Sequence, residues 1–490
     1  MYSVLVADDE PAARKHIETI IARKCPGYYV SGSVSNGGEA LKKVRQLQPD
    51  VLITDIRMPV LNGIELVKRI VEEKEDIIIV LVSGYSDFSY AQSAIRLGVS
   101  DYILKPVVPL ELQRMLENME ERLKVQYWRN RNLIIRKLCA GDGISEKIID
   151  RYFPEGLYYA AIIRMNGLPC RFSGYGRKEI FSDINERMLI YGRDEREMLC
   201  ICPHELIEEH DFLRLIQSEI EKQKSGTEYF TVVTSDEPVK TMGLADTIDK
   251  LYQTLARKLV LGKSRVIHLE EPGSAEREGN IQDYLYPLQA YCKKKNRQKA
   301  REEVKRLLLL WGEEERPQLW VENMFNHILY VLQEFGEKLS CEGELGFLVE
   351  EAFANAENMQ ELSENIDQIL FVGSEENPVF EKMDTREYYE KVMKYIGDNF
   401  SRQLTLASVG REMGISQPYL SKLLRKYGDE SFTVCLTRLR MERAKELMSV
   451  PGQKLYIKDI AEQVGYKDQF YFSRMFRAYT GQSPSDFYNG

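Results

Sequence analysis

The sequence lacks what would carry it into a membrane. Apolar runs such as Leu307–Trp311 stop far short of the roughly 20 residues that a membrane helix needs. The strand pattern begins at Tyr2 and leaves no room for a charged or an apolar leader, so the expectation is a cytoplasmic protein with no membrane contact. Metal-ligand spacing among sulfurs is also missing. The eight cysteines, at 25, 139, 170, 200, 202, 292, 341 and 435, are scattered, and Cys200 and Cys202 share an apolar run, which reads as buried, reduced thiols. A net charge of −9 argues against nucleic acid for the chain taken whole. The charge is unevenly spread, however. Arg386–Gly490 holds 17 Lys or Arg against 12 Asp or Glu, a surplus of five, so the rest carries −14. Core-forming residues are plentiful: 43% of the 490 residues are hydrophobic, enough for roughly three domains of about 150 residues.

The most informative stretch is Val51–Pro59, Val-Leu-Ile-Thr-Asp-Ile-Arg-Met-Pro. Four strand-type residues deliver Asp55 into a loop that Pro59 and Gly63 force to turn. An Asp after a strand is most often a helix cap. Here the first apolar run, Val4–Ala7, also ends in acids, Asp8, Asp9 and Glu10, and a parallel sheet brings such strand ends together at the edge where ligands bind. Clustered carboxylates need a cation, and hard oxygen donors without Cys or His suit Mg2+. The run Ile77–Val82 ends at Ser83, and Asp101–Leu104 is followed by Lys105 and Pro106, adding a hydroxyl and an ammonium. The set suits phosphoryl transfer.

This constellation resembles the receiver domain of two-component response regulators over about residues 1 to 122. The resemblance implies that Asp55 accepts a phosphoryl group from a sensor histidine kinase. It also implies that Asp9 and Asp55 hold Mg2+ with Asp8 acting through water, that Lys105 contacts the phosphoryl oxygens, and that Ser83 and Tyr102 form a switch pair.

After Pro109 no Gly or Pro interrupts good helix formers until Gly141, which predicts one long helix over 109–139. Leu112, Leu116, Met119, Leu123, Gln126, Asn130 and Leu133 follow a 4-3 spacing. The seam reads equally as a coiled coil, giving a homodimer tightened by phosphorylation, or as a helix lying on its own neighbours. Residues 156–270 alternate strand-like and helical runs, an α+β pattern. Leu251–Ile267 resembles the last helix and strand of GGDEF-type nucleotide cyclases, but Tyr191-Gly-Arg-Asp-Glu-Arg196 lacks that family's second Gly and its Phe, which implies a non-catalytic relative. Residues 281–372 carry helical spacing and read as a connector, and Gly373–Pro378 reads as a linker.

Residues 404–490 contain an internal repeat. Leu406, Val409, Met413 and Gly414 recur 51 residues later as Ile457, Ile460, Val464 and Gly465. Leu420 and Leu424 recur 52 residues later as Phe472 and Phe476, so one extra residue lies in the second turn. Each copy, about 404–425 and 456–477, reads as a helix-turn-helix unit. The second copy, Ile460–Ser485, resembles the signature of AraC-type transcription regulators, which covers about 386–490, with Tyr488 where that family has Arg. By period Leu420, Leu424, Phe472 and Phe476 are core. The outer-face candidates for double-stranded promoter DNA are Ser416, Gln417, Ser421, Lys422 and Arg425 in the first copy. In the second they are Lys467, Asp468, Gln469, Ser473, Arg474 and Arg477.

The expectation is a multidomain chain: a doubly wound α/β receiver with a five-stranded parallel sheet, an α+β and helical middle, and an all-α double helix-turn-helix. The leading function is a phosphorylation-controlled transcription regulator. The alternative is a nucleotide cyclase-like enzyme governed by the receiver.

Overall fold

A computed structural model describes residues 1–73, 77–84, 99–154, 156–169, 178–184, 186–207, 211–224, 228–269, 281–334, 345–372, 385–450 and 455–489. The stretch Gly373–Pro378, together with Cys170 and Cys341, lies outside them. The chain divides into two compact units, Met1–Arg129 and Asn130–Gly490.

The first unit is built on β1 (Tyr2–Ala7), β2 (Tyr28–Val34), β3 (Val51–Asp55), β4 (Ile78–Ser83) and β5 (Asp101–Leu104), all parallel in the order β2-β1-β3-β4-β5. Alternation along each strand sends side chains to opposite faces. Val4, Val6, Ile53 and Val80 pack with Ile17, Ile20 and Ile21 of α1 (Pro11–Lys24), whereas Leu5, Leu52, Ile79 and Leu81 pack with α2 (Gly37–Leu47) and α3 (Gly63–Glu72). Each fully buried aliphatic side chain contributes about 1.5–3 kcal/mol. α4 (Pro109–Cys139) begins in this unit. Leu112, Leu116, Met119 and Leu123 of the 4-3 seam are at most 4% exposed and belong to the core beneath α1. These four fill the chain's own core, as the second of the two readings of the seam has it, and burial against the domain's own sheet competes with burial against a second copy.

In the second unit, β6 (Leu157–Met165), β7 (Ile180–Phe181), β8 (Leu189–Gly192), β9 (Glu197–Pro203), β10 (Phe230–Thr234), β11 (Val239–Lys240) and β12 (Arg265–His268) form one mainly antiparallel sheet, order β12-β10-β6-β9-β8-β7 with β11 on β6. α5 (Glu146–Tyr152) and α7 (Leu244–Lys258) belong to the core on one face and α6 (Phe212–Gln223) to that on the other. The helices α8 (Ile281–Lys293), α9 (Arg297–Glu313), α10 (Gln318–Glu334), α11 (Leu345–Asn355) and α12 (Met359–Asp367) pack around buried Trp311.

The C-terminal part holds α13 (Thr385–Asn399), α14 (Leu406–Met413), α15 (Gln417–Gly428), α16 (Phe432–Met448), α17 (Ile457–Gln463), α18 (Gln469–Thr480) and α19 (Pro484–Asn489). Two residues, 415 and 416, separate Gly414 from α15, whereas three, 466 to 468, separate Gly465 from α18. Both glycines adopt positive φ, 69° and 89°, which a side chain would strain. α16 serves two cores: Phe432, Cys435 and Leu436 pack with Leu420 and Leu424, and Met441, Ala444 and Met448 pack with Phe472 and Phe476.

Candidate functional site

Parallel register assembles the first site. Ala7 is level with Thr54, so Asp8 and Asp55 leave neighbouring strands side by side, while Ser83 is level with Leu104 and Lys105 follows. The chain then turns through a cis Lys105–Pro106 bond. Lys105 Nζ lies 2.6 Å from Asp55 Oδ2 and 2.9 Å from Asp8 Oδ2. Gly63 lets α3 start hard against this edge, since a Cβ there would meet the Asp55 carbonyl oxygen at 2.3 Å. Asp8 and Asp55 are buried and Asp9 is exposed. Burial raises the Asp55 pKa, Lys105 opposes that rise, and Asp8 adds to it. Burial works against the charge of Lys105, and its bonds to Asp55 and Asp8 more than offset this.

Carboxylate oxygens of Asp8, Asp9 and Asp55 lie within 4.8 Å of one another. This all-oxygen set fits a hard divalent cation such as Mg2+, and a cation there would counter the repulsion between Asp8 and Asp55. Ser83 is fully buried, and its hydroxyl donates to the Gly84 carbonyl at 3.1 Å. Tyr102 is half-buried on β5.

The outer faces of the two later helices are largely in use. Ser416 and Asp468 cap α15 and α18, accepting from the amides of Tyr419 and Tyr471. The Ser473 hydroxyl donates back to the Gln469 carbonyl at 2.7 Å. Gln417 donates to Glu361 at 2.5 Å and accepts from Asn365 at 3.4 Å. The Arg425 guanidinium stands 4.1 Å from the Phe347 ring centroid. Lys422 is half-buried, and Lys467 donates to the Lys224 carbonyl at 3.1 Å.

Two residues read as outward-facing are buried: Ser421 is 3% exposed and Arg474 2%. The reason is tertiary, since α11 packs on α15 and β7 packs on α18. Arg474 donates to Glu186 at 2.9 Å and to Glu219 at 3.1 Å, and Arg477 pairs with Asp183 at 3.2 Å. Burial raises the Glu186 pKa, and Arg474 restrains that rise. The three acids lie 255 to 294 residues upstream of their partners, and no sequence signal singles them out.

The segment compared with the cyclase hairpin does turn between β8 and β9. Its acids are engaged elsewhere. Asp194 accepts from buried Arg164 at 2.6 Å, and fully buried Glu197 accepts from Arg193 twice at 2.7 Å and from the Tyr252 hydroxyl at 3.2 Å. Glu195 and Arg196 at the tip reach Thr437 and Thr433 of α16 at 3.2 and 2.9 Å. Tyr488 is also occupied, its hydroxyl accepting from the Leu455 amide at 3.0 Å.

Residues 4–117 match the family model for the response regulator receiver domain, and residues 409–490 match a helix-turn-helix domain. An uncharacterized response regulatory protein of Vibrio cholerae is 35% identical over 123 residues, 25% of this chain and 46% of that protein. The uncharacterized transcriptional regulatory protein YesN of Bacillus subtilis is 35% identical over 126 residues, 26% of this chain and 34% of YesN. The chain thus spans less than half the length of either relative. Among solved structures, the REC domain of AraT, a response regulator from Geobacillus stearothermophilus, is 36% identical, covering 26% of this chain and 97% of that chain with a TM-score of 0.25. With the acid pocket at one end and the repeated helical units at the other, the chain joins an N-terminal response regulator receiver domain to a C-terminal AraC-type helix-turn-helix domain.

Proposed function

We propose that the protein is a cytoplasmic, phosphorylation-controlled transcription regulator that receives its phosphoryl group from a sensor histidine kinase and binds double-stranded promoter DNA. The observation that carries this reading is the meeting of Asp8, Asp9, Asp55 and Lys105 at one sheet edge in a chain that ends in two helix-turn-helix units. A carboxylate oxygen of Asp55 attacks phosphorus, the phosphorus–nitrogen bond of the kinase's phosphohistidine breaks, and an aspartyl phosphate results. Lys105 is already within reach of the oxygens that gain charge. Asp9 and Asp55 would hold Mg2+ directly and Asp8 through water, the ion supplying charge neutralisation at the phosphoryl group. Ser83 and Tyr102 are the switch pair that reads the new charge.

On DNA, each helix-turn-helix unit lays its second helix in the major groove, and the shared helix α16 sets the distance between them. Successive grooves on one face are about 34 Å apart, so one chain covers two short motifs roughly 10 base pairs apart. Phosphorylation favours a homodimer, through a surface other than the buried part of the α4 seam. The only phosphoryl chemistry in this reading is transfer to Asp55 and its hydrolysis. Incubation with acetyl phosphate and Mg2+ followed by intact-mass measurement and a promoter-fragment shift tests the reading. An unlabelled protein that shifts no fragment removes it.

A further inference from the structure

The face of the second recognition helix that DNA would meet is covered by acidic residues of the same chain. The Arg474 side chain, 1% exposed, is gripped by Glu186 and Glu219, and Arg477 is paired with Asp183. At the start of the helix Tyr471 donates its hydroxyl to the Glu195 carbonyl at 3.0 Å. Ile180 of β7 completes the contact by joining the core of Phe472, Met475 and Phe476. The first unit is covered too, with Gln417 held by Glu361 and Arg425 against Phe347.

We infer that the acidic face formed by Asp183, Glu186 and Glu219 is a binding surface for the chain's own recognition helix, competing with DNA for it. The inference rests on the DNA-binding reading above and adds to it the partner that holds the protein off DNA. The competition is stereochemical. A guanidinium whose donors point at two carboxylates inside a packed interface cannot also point at a phosphate or a guanine edge. The carboxylates stand in for the charge that DNA would bring, and β7 lies on the helix where a groove would have to fit.

Opening is feasible because carboxylates freed from such a contact regain water, which offsets much of the lost attraction. A cavity of about 310 Å3 bordered by Glu195, Arg196, Gln417, Lys467 and Tyr471 lies beside the contact, so part of the interface is not close-packed, and the apolar cost of opening is concentrated at Ile180. If only a fraction of molecules is open, apparent DNA affinity is reduced by that fraction.

The test uses the full chain. Glu186→Gln/Glu219→Gln keeps the shape of both side chains and removes the charges that hold Arg474, and Glu237→Gln/Asp246→Asn removes the same charge at two exposed positions away from this face. Binding of each protein to one mixed-sequence duplex is measured at fixed salt, with hydrogen exchange of segments 186–192, 212–223 and 469–480 followed without DNA. The first variant should bind about tenfold tighter or more than wild type, the second should stay close to wild type, and exchange should quicken only in the first. Equal affinities with unchanged exchange, or a gain matched by the second variant, overturn the inference. If neither wild type nor the first variant binds duplex while exchange still quickens in the first, the docking surface stands and the DNA-binding reading falls.

Discussion

Lys105 reaches Asp55 and Asp8 at 2.6 and 2.9 Å, and Arg474 reaches Glu186 and Glu219 at 2.9 and 3.1 Å. The two sites share a plan, one cation between two carboxylates, and differ in what surrounds it. Lys105 keeps 20% of its side chain exposed, and exposed Asp9 stands beside the pair, so ions and phosphoryl oxygens can enter. The Arg474 side chain is 1% exposed, closed in by Glu186 before β8 and Glu219 on α6. The first is a site open to exchange; the second is a clasp. A buried pair with no open side serves to hold one arrangement, and disrupting it changes which surfaces meet.

The largest expected effect removes the property that only the open site has. Asp55→Asn lacks the anionic oxygen nucleophile and should abolish labelling by acetyl phosphate, whereas Cys25→Ala should label like wild type, as intact mass will show. Labelling retained in the Asn variant would move the acceptor elsewhere.

Deleting the cation from each site sharpens the contrast. Arg474→Met strands two carboxylates in the interface and should cost about 3–5 kcal/mol of stability, since removing one partner leaves uncompensated buried charge. Thermal or urea unfolding reads this, and Mg2+ should not restore it. Lys105→Met leaves its carboxylates facing an ion-accessible edge, so millimolar Mg2+ should recover much of the loss. The same response to Mg2+ in both variants would erase the distinction.

Next in size is the stabilisation of the intact protein by the ion. At a concentration near 100 times its dissociation constant Mg2+ should add about 2.7 kcal/mol, and Asp9→Ala should remove most of that gain in unfolding measured against metal concentration. The smallest effects concern the helices once they engage DNA. Gln417→Ala or Gln469→Ala should alter preference at one base pair by about 1–3 kcal/mol. Lys467→Ala should weaken all sequences alike and lower the salt slope by about one. A Lys467 variant that alters sequence preference would assign that residue to a base edge.

The open site was legible because strand ends and register are local matters. An apolar run that ends in Asp8 and Asp9, another that ends in Asp55, and Lys105 after Asp101–Leu104 suffice, since a parallel sheet has one carboxyl edge and must place them there. The repeat was legible for the same reason: Leu420, Leu424, Phe472 and Phe476 follow helical periods, and each is fully buried. The 4-3 seam left two readings open because its period says only that one side of α4 is apolar. Its occupant, the receiver core for Leu112 to Leu123, was a question of what lay nearest in three dimensions.

By itself, then, the sequence determined the meeting of Asp8, Asp9, Asp55 and Lys105 at one sheet edge, the two helix-turn-helix units and the cores that build them, because periodicity and strand order are written in neighbouring residues. Only the tertiary structure decided that Ser421 and Arg474 turn inward and that Glu186 and Glu219 are the groups Arg474 meets. Burial of a polar face depends on which distant surface arrives to cover it. An Arg on a helix has the same spacing whether it meets water, phosphate or a carboxylate 255 residues away.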